Sequence, residues 1–596
     1  MGGFMKRNMK KTLILMMVMA LVLSACSPAT QPTTATTAAP TTAAPTEPTG
    51  MTPGKYIGEV RGYNAMVKVE TEVDAEKILS VKVVNHEETL GMGTNAVELM
   101  PQKFVDAQSV AVDVVTGATA TSLAIIFSVR SALEQAGADM AEFTVKPAPP
   151  TPKDAAYDTD VVVIGGGIAG LTSALQATLN GANVILVEKM DVVGGNSIRS
   201  SGSFNVAGHP MQIEAIGLTQ RSDPEQFIEF TMVGGHQMND PSLVRYMIEN
   251  SGKAYDWLEE IGMEPRFNER STGASVPGNA PGLVVGLQER FLAEGGTILL
   301  STKVTDIVLK DGAAAGVIAT SKDGGTVTVN AKAVVLASGG FGANLDMVTQ
   351  LDPSLKGFVT NNSPSATGDG IAMAEAVGAA IRDLNEIQIH PTVHNPSSTM
   401  VTEGARNAGA ILINTSGKRF TNEVNYRDIV SAAILEQDQG FAYILMNQEI
   451  VDSNTNIQGY YKIGLLKKFD DIAGVAEFMK IDVAVLQDTL DKWNSYVADK
   501  NDPEFNSAFD WRRDLSTGPY YTIDVAPGIH HTMGGVVINT NGEVISTTGD
   551  VIPGFFAAGE ITGGVHGGNR VGGNAITDCL VFGMTAGMHS AAYVGK

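Results

Sequence analysis

The stretch Asp160-Val-Val-Val-Ile-Gly-Gly-Gly-Ile-Ala-Gly170 decides the fold of this chain. An apolar run leads directly into Gly-x-Gly-x-x-Gly and then into an apolar helical stretch. Gly165 permits the tight turn, Gly167 lets the backbone approach a pyrophosphate, and Gly170 allows close helix–strand packing. The helix opened by Ile168 and Ala169 offers unpaired N–H groups and its positive dipole end to phosphates. A second strand, Asn183 to Glu188, follows, and Glu188 stands where an acid accepts hydrogen bonds from ribose hydroxyls. A lone glycine motif often decorates an ordinary turn. With both strands and the acid in place it predicts a dinucleotide-binding βαβ unit, so the fold class is α/β. The loop alone does not separate NAD from FAD.

The chain around this unit has 596 residues, enough for several domains. Hydrophobic residues make up 44% and charged ones 18%, which excludes a mostly disordered chain. A net charge of −23 leaves no basic stripe for phosphate contacts, so no nucleic-acid partner is expected. The two cysteines, Cys26 and Cys579, are too few for a cysteine-ligated iron–sulfur cluster, and no CxxCH haem motif occurs. No metal site is expected.

Toward the N-terminus, Lys6, Arg7, Lys10 and Lys11 precede the apolar run Leu13 to Leu23, which is too short to span a bilayer. Leu23-Ser24-Ala25-Cys26 resembles a bacterial lipobox. That resemblance implies a signal peptide over 1–25, lipidation of Cys26, and a lipid-anchored protein on the extracytoplasmic face of the cell membrane. Residues 26–53, rich in Thr, Ala and Pro, cannot form a core and read as a tether reaching roughly 30 Å. A folded part is expected at 54–145, with strands in 58–70 and 78–84 and a helix over Thr121–Gln135. A Pro-rich break at 146–156 separates it from the part beginning at 157.

Further segments resemble the FAD-contacting elements of the fumarate reductase/succinate dehydrogenase flavoprotein family. They are Gly194-Gly195-Asn196-Ser197, Val334 to Gly340 with Gly339, and Thr367-Gly-Asp369-Gly370. Ala558-Gly-Glu560 and Gly572-Gly573-Asn574-Ala575, followed by Ile576, complete the set in the family's order. In that family a histidine can attach FAD covalently. The matching position here is Asn196, so the resemblance implies non-covalent FAD.

His390-Pro-Thr, Thr402-Glu403-Gly-Ala-Arg406, Arg427-Asp428, His530-His531-Thr-Met-Gly-Gly and Asn569-Arg570 resemble the soluble, flavocytochrome-type fumarate reductases. The resemblance implies a Rossmann-like FAD-binding domain (157–388 and 526–596) with an inserted α+β capping domain (389–525). It implies reduction of the C=C bond of a small unsaturated carboxylate, with fumarate first and urocanate or a cinnamate- or acrylate-type acid as the alternative. Arg570, Arg427 and His531 would hold one carboxylate, since arginine offers a planar bidentate fork. His390 and Thr402 would hold the second, with Met400 and Phe204 beside the substrate; Phe204 replaces a methionine usual in the family. Arg427 would donate the proton, refilled through Glu403 and Arg406, whose i, i+3 spacing puts both on one helical face. The stretch Thr272–Gly282 is shorter than in that group, which bears on pocket size.

Asp113-Val-Val-Thr-Gly-Ala-Thr119-Ala-Thr-Ser122 resembles the attachment motif of the FMN-binding domain family. It implies a small α+β domain carrying FMN covalently on Thr119, loaded by a flavin transferase and fed by a membrane-linked electron donor. A polar helix cap is the bland reading of the same residues. A non-catalytic electron-carrier lipoprotein is the alternative of another class, for which the N-terminal part alone would suffice. A steroid substrate is disfavoured, because paired arginines suit a carboxylate.

Overall fold

Strands Val161–Ile164, Val184–Val187 and Ala333–Leu336 are buried at every position, the pattern of parallel strands covered on both faces. In the computed structural model, which describes residues 50–267, 273–507 and 512–596, they form the centre of a six-stranded sheet. Its order is Thr297–Leu299, Val184–Val187, Val161–Ile164, Ala333–Leu336, Val551–Ala557, Glu543–Ile545. All neighbours are parallel except the last pair. The helices Ile168–Leu179 and Asn574–Tyr593 pack together against the sheet. A Cβ on Gly170 would lie 1.9 Å from the Gly165 carbonyl oxygen, so only glycine permits this close turn. The predicted βαβ unit is present, with its second strand at Val184–Val187.

Beside this sheet lies a second hydrophobic cluster built only from residues 401–525. Its sheet runs Thr399–Met400, Ile387–His394, Tyr520–Thr532, Ala442–Asn447, Ile411–Ile413. Boundaries expected at 389 and 525 thus fall inside two of its strands. These strands link the inserted part to the FAD-binding part and carry Gln388, His390, His530 and His531.

The N-terminal part is a three-stranded antiparallel sheet of Gly54–Arg61, Met66–Val73 and Ile78–Asn85. The expected run 58–70 is therefore a hairpin turning at 62–65. Val67, Val69 and Val73 alternate inward and meet Ile125, Val129 and Leu133 of helix Thr119–Gln135 in a cluster of their own. That helix starts two residues earlier than expected, so Thr119 is its first residue rather than a cap, and no side chain caps it. Residues 50–596 form one compact unit. Among the described residues no helix is long and apolar enough to cross a membrane. The signal, Cys26 and most of the tether lie outside the described residues, as does Thr272.

Candidate active site

The glycine loop opens a cleft lined by Gly165, Gly167, Ala169, Glu188, Gly195, Asn196, Ser197, Gly339, Asp369 and Glu560. Gly165 has φ +105°, and a Cβ there would lie 2.5 Å from the Ala337 carbonyl oxygen. Gly167 caps the helix without a side chain; the Ile168 N–H donates to the Ser197 hydroxyl at 3.1 Å, and Gly167 and Ala169 line the cleft. The Glu188 carboxylate accepts from the backbone N–H of Gly166 (2.7 Å) and of Met190 (2.8 Å), while burial raises its pKa. Lys189 and Lys303 pair with Asp369 at 2.7 and 3.2 Å. A glycine cradle, a helix N-terminus and a strand-end acid are the donor and acceptor set a dinucleotide needs, so these residues fit FAD.

Seven expected cofactor residues do not line this cleft. Ile168 is fully buried core, and Gly170 serves helix packing. At Gly340 a Cβ would lie 2.1 Å from the Thr532 hydroxyl, so it too serves a close approach. Asn574 is fully buried, accepting from Asn205 Nδ2 at 2.7 Å. Gly573, Ala575 and Ile576 line instead a second, larger cavity of about 780 Å³, which also exposes Asn196, Met400, Thr402, Glu403, Arg427, His530, His531, Glu560 and Arg570.

One carboxylate and three guanidiniums organise that cavity. Arg427 forks onto Glu403, with Nε to Oε1 at 2.6 Å and Nη2 to Oε2 at 2.9 Å. Arg406, 2% exposed, places Nη2 3.8 Å from the same Oε1. The i, i+3 pair Glu403–Arg406 sits on the helix Glu403–Asn407, capped by Thr402, whose hydroxyl accepts from Gly404 N–H at 3.2 Å. Burial alone would raise the Glu403 carboxyl, but the Arg427 guanidinium overrides it and holds the group well below the usual carboxylate range. Burial, aided by the facing Arg427 charge, pushes Arg570 down to about 9. Burial likewise pushes Arg406 down to about 10. Both are therefore better acids than a free guanidinium, and of the two only Arg406 stands beside Glu403.

Of the residues expected at the substrate, His390 and Phe204 lie outside the cavity lining, while His531 lines it without bonding an arginine. His530, not His531, faces Arg570, with Nε2 3.0 Å from Nη2. Neighbours on a strand point to opposite faces, and His531 turns toward Glu560 (3.6 Å) and the ring of His566 (5.2 Å). His390 is fully buried behind the cavity, its ring 5.2 Å from that of His530 and its Nε2 unpartnered. Phe204 is 1% exposed, packed in the core where its strand pairs with Gly273–Ser275, and does not line the cavity.

Two residues were missed. Gln388 joins the arginines: its Oε1 accepts from Arg427 Nη1 (2.8 Å) and Arg570 Nη2 (3.3 Å). Its Nε2 donates to Asn569 Oδ1 (2.6 Å) and the Arg570 carbonyl (2.8 Å), which fixes the amide's orientation. The i, i+2 spacing to His390 on a strand was a usable signal. Tyr460, on the helix Thr455–Lys462, also lines the cavity, and no pattern in the sequence points to it.

The N-terminal part forms one wall of the same cavity through Tyr63, Glu88, Gly117, Ala118, Ala120 and Thr121. Thr119 is exposed at the start of its helix. Thr121 donates a short hydrogen bond to Glu88, and Thr116 N–H donates to Asp191 at 3.2 Å, so this segment is tied to the FAD-binding part. An exposed threonine whose neighbours face the cavity fits a flavin carried there.

A nucleotide cleft continuous with a cavity of paired arginines, walled by a second flavin-type domain, defines a two-flavin oxidoreductase. Residues 160–576 match the FAD binding domain family and 62–134 the FMN-binding domain family. The chain is 36% identical over 551 residues to an NADH:fumarate oxidoreductase of Klebsiella pneumoniae, covering 91% of this chain and 58% of that protein. It is 35% identical over 566 residues to a urocanate reductase of Eggerthella lenta, covering 90% of this chain and 92% of that protein. The open conformation of a flavocytochrome c3 fumarate reductase superposes with TM-score 0.62 at 35% identity, covering 77% of this chain and 84% of that one. The chain belongs to the fumarate reductase-like family of FAD-binding oxidoreductases, with an N-terminal FMN-binding domain.

Proposed function

We propose that the chain reduces the C=C bond of a small unsaturated carboxylate, with fumarate as first substrate. The carrying observation is that Glu403, Arg427 and Arg570 line one cavity, with Arg406 buried behind Glu403. The glycine cleft would hold FAD, which would supply a hydride for one alkene carbon. Arg570 and His530 bind and polarise the substrate carboxylate, so charge developing there meets fixed donors. Gln388 keeps the two guanidiniums oriented. Arg427 gives a proton to the second alkene carbon, and Glu403 returns one to Arg427 from Arg406. Hydride and proton together saturate the double bond. Glu403, held ionised by Arg427, only passes the proton on, and the proton that Arg406 gives up is restored from bulk water.

The second reading is urocanate. It is favoured by the end-to-end likeness to the E. lenta protein and by His390, which lies behind the cavity rather than in it. We further propose that Thr119 would hold FMN covalently and that this group, when bound, would supply the electrons for FAD. In the same reading the protein is anchored through a lipid on Cys26 outside the cytoplasmic membrane, loaded by a flavin transferase and fed by a membrane-linked donor.

The test is oxidation of reduced methyl viologen by the purified flavin-loaded protein with fumarate, urocanate, acrylate and cinnamate. Fumarate is expected to give the largest kcat/KM; turnover of none of the four contradicts the proposal. The pH profile gives a second check. A guanidinium lowered to about 9 is charged below that pH and neutral above it. The kcat/KM for fumarate is therefore expected to fall above about pH 9. The limb should move to higher pH in kcat, because a bound carboxylate favours the charged guanidinium.

A further inference from the structure

Tyr460 is a partly buried polar side chain of the cavity wall that the proposed reaction leaves unused. It lies near the end of the helix Thr455–Lys462 in the inserted part. Its phenol oxygen accepts a hydrogen bond from the backbone N–H of Thr402 at 3.2 Å. A phenol has one donor and two acceptor lone pairs. Since the amide occupies an acceptor position, the O–H of Tyr460 remains to be spent, and among the described residues it meets no acceptor. Burial pushes this phenol up to about 12, so it keeps its proton throughout the working range.

The neighbouring Thr402 repeats the arrangement. Its hydroxyl oxygen is spent as an acceptor for Gly404 N–H, and its own hydrogen finds no partner among the described residues. Two hydroxyl donors, held by backbone amides of one segment, thus line the same cavity as Arg427 and Arg570. Arg570 and His530 account for one carboxylate of the substrate. His390, expected at the other carboxylate, is buried outside the cavity lining. Tyr460 is also braced: Arg61 of the N-terminal domain donates to the carbonyl of Lys462, two residues on, at 3.3 Å. A donor that costs no rearrangement to aim is the kind that discriminates between substrates, because a ligand lacking the acceptor leaves it unpaired.

The geometry points to Tyr460 as a specificity-determining residue, whose O–H, beside that of Thr402, binds an acceptor on the far end of the substrate from the arginine-held carboxylate. The inference deepens the proposed reduction of unsaturated carboxylates and rests on it. In fumarate the acceptor is the second carboxylate; acrylate has the same alkene and first carboxylate but nothing to receive the bond.

The test uses the flavin-loaded full chain and its Tyr460→Phe variant, which keeps the ring and removes only the hydroxyl. With reduced methyl viologen, KM for fumarate is expected to rise about tenfold with kcat within twofold, the scale of one lost hydrogen bond to a charged group. The kinetic constants for acrylate should be unchanged, so the preference for fumarate over acrylate falls by the same factor. Equal changes for both acids would mark a structural role and overturn the inference, as would no change for either. Should the parent reduce neither acid, the proposed reaction fails. The Kd values of fumarate and acrylate by calorimetry then still decide on Tyr460, which must weaken fumarate alone on losing its hydroxyl.

Discussion

Replacing Arg427 with alanine is expected to lower kcat for alkene reduction by about 10³-fold, within the range of lost general acids. The argument is geometric. Arg427 is 7% exposed, forked onto Glu403, and bonded to Gln388, so it reaches the cavity in one orientation. Removing it takes away the proton donor and severs Glu403 from the reacting carbon, although Arg406 remains 3.8 Å from Glu403. Arg427→Lys should do little better, since an ammonium cannot reproduce the planar fork or reach both acceptors. Flavin content of the purified variants should match the parent, because Arg427 does not line the nucleotide cleft. Rapid-mixing decay of the reduced flavin with fumarate separates this from weakened binding: the slow step must persist at saturating substrate. A variant retaining more than about a tenth of the parent kcat would remove Arg427 from the proton step.

This prediction rests on residues whose identity, but not whose arrangement, was legible in the sequence. The glycine loop was readable because its physics is local: a buried strand, a tight turn and a helix within twenty-odd residues. The Glu403–Arg406 pair was readable for the same reason, as two positions on one helical turn. The histidine next to Arg570 was not. His530 and His531 differ only in which face of a 13-residue strand they occupy, and pairing with Ile387–His394 sets that. The register of this pair shifts between Gln388 and Ile389 and again between His390 and Val393. Such irregularities re-aim side chains, and nothing in the sequence announces them. His390 went behind the cavity, and Gln388 came between the arginines, through that same pairing of distant strands. Phe204 failed for a simpler reason: a large apolar residue on a short paired strand goes to the core unless a ligand claims it.

Replacing Thr119 with valine is expected to remove every flavin that survives denaturation, while FAD, held by the glycine cleft, is still released from the unfolded variant. A phosphoester needs a hydroxyl oxygen, and valine offers the same shape without one. Thr119 begins its helix on the surface, and its side chain caps nothing, so the substitution should leave the fold intact. Thr121, two residues on, is the informative control. It is buried and spends its hydroxyl on Glu88, so Thr121→Val should perturb stability but keep the attached flavin. The measurement is in-gel fluorescence and intact mass after co-expression with a flavin transferase. Attached flavin persisting in Thr119→Val would move the site elsewhere. Because Gly117, Ala118 and Ala120 wall the cavity that also exposes Asn196 and Glu560 of the nucleotide cleft, the lost flavin is the one on the route into FAD. Turnover with reduced methyl viologen should then survive, since a small dye can reach the cavity directly, whereas turnover driven by isolated membranes should be abolished. Equal loss with both donors would mean that Thr119 supports the active site itself and not a route into it.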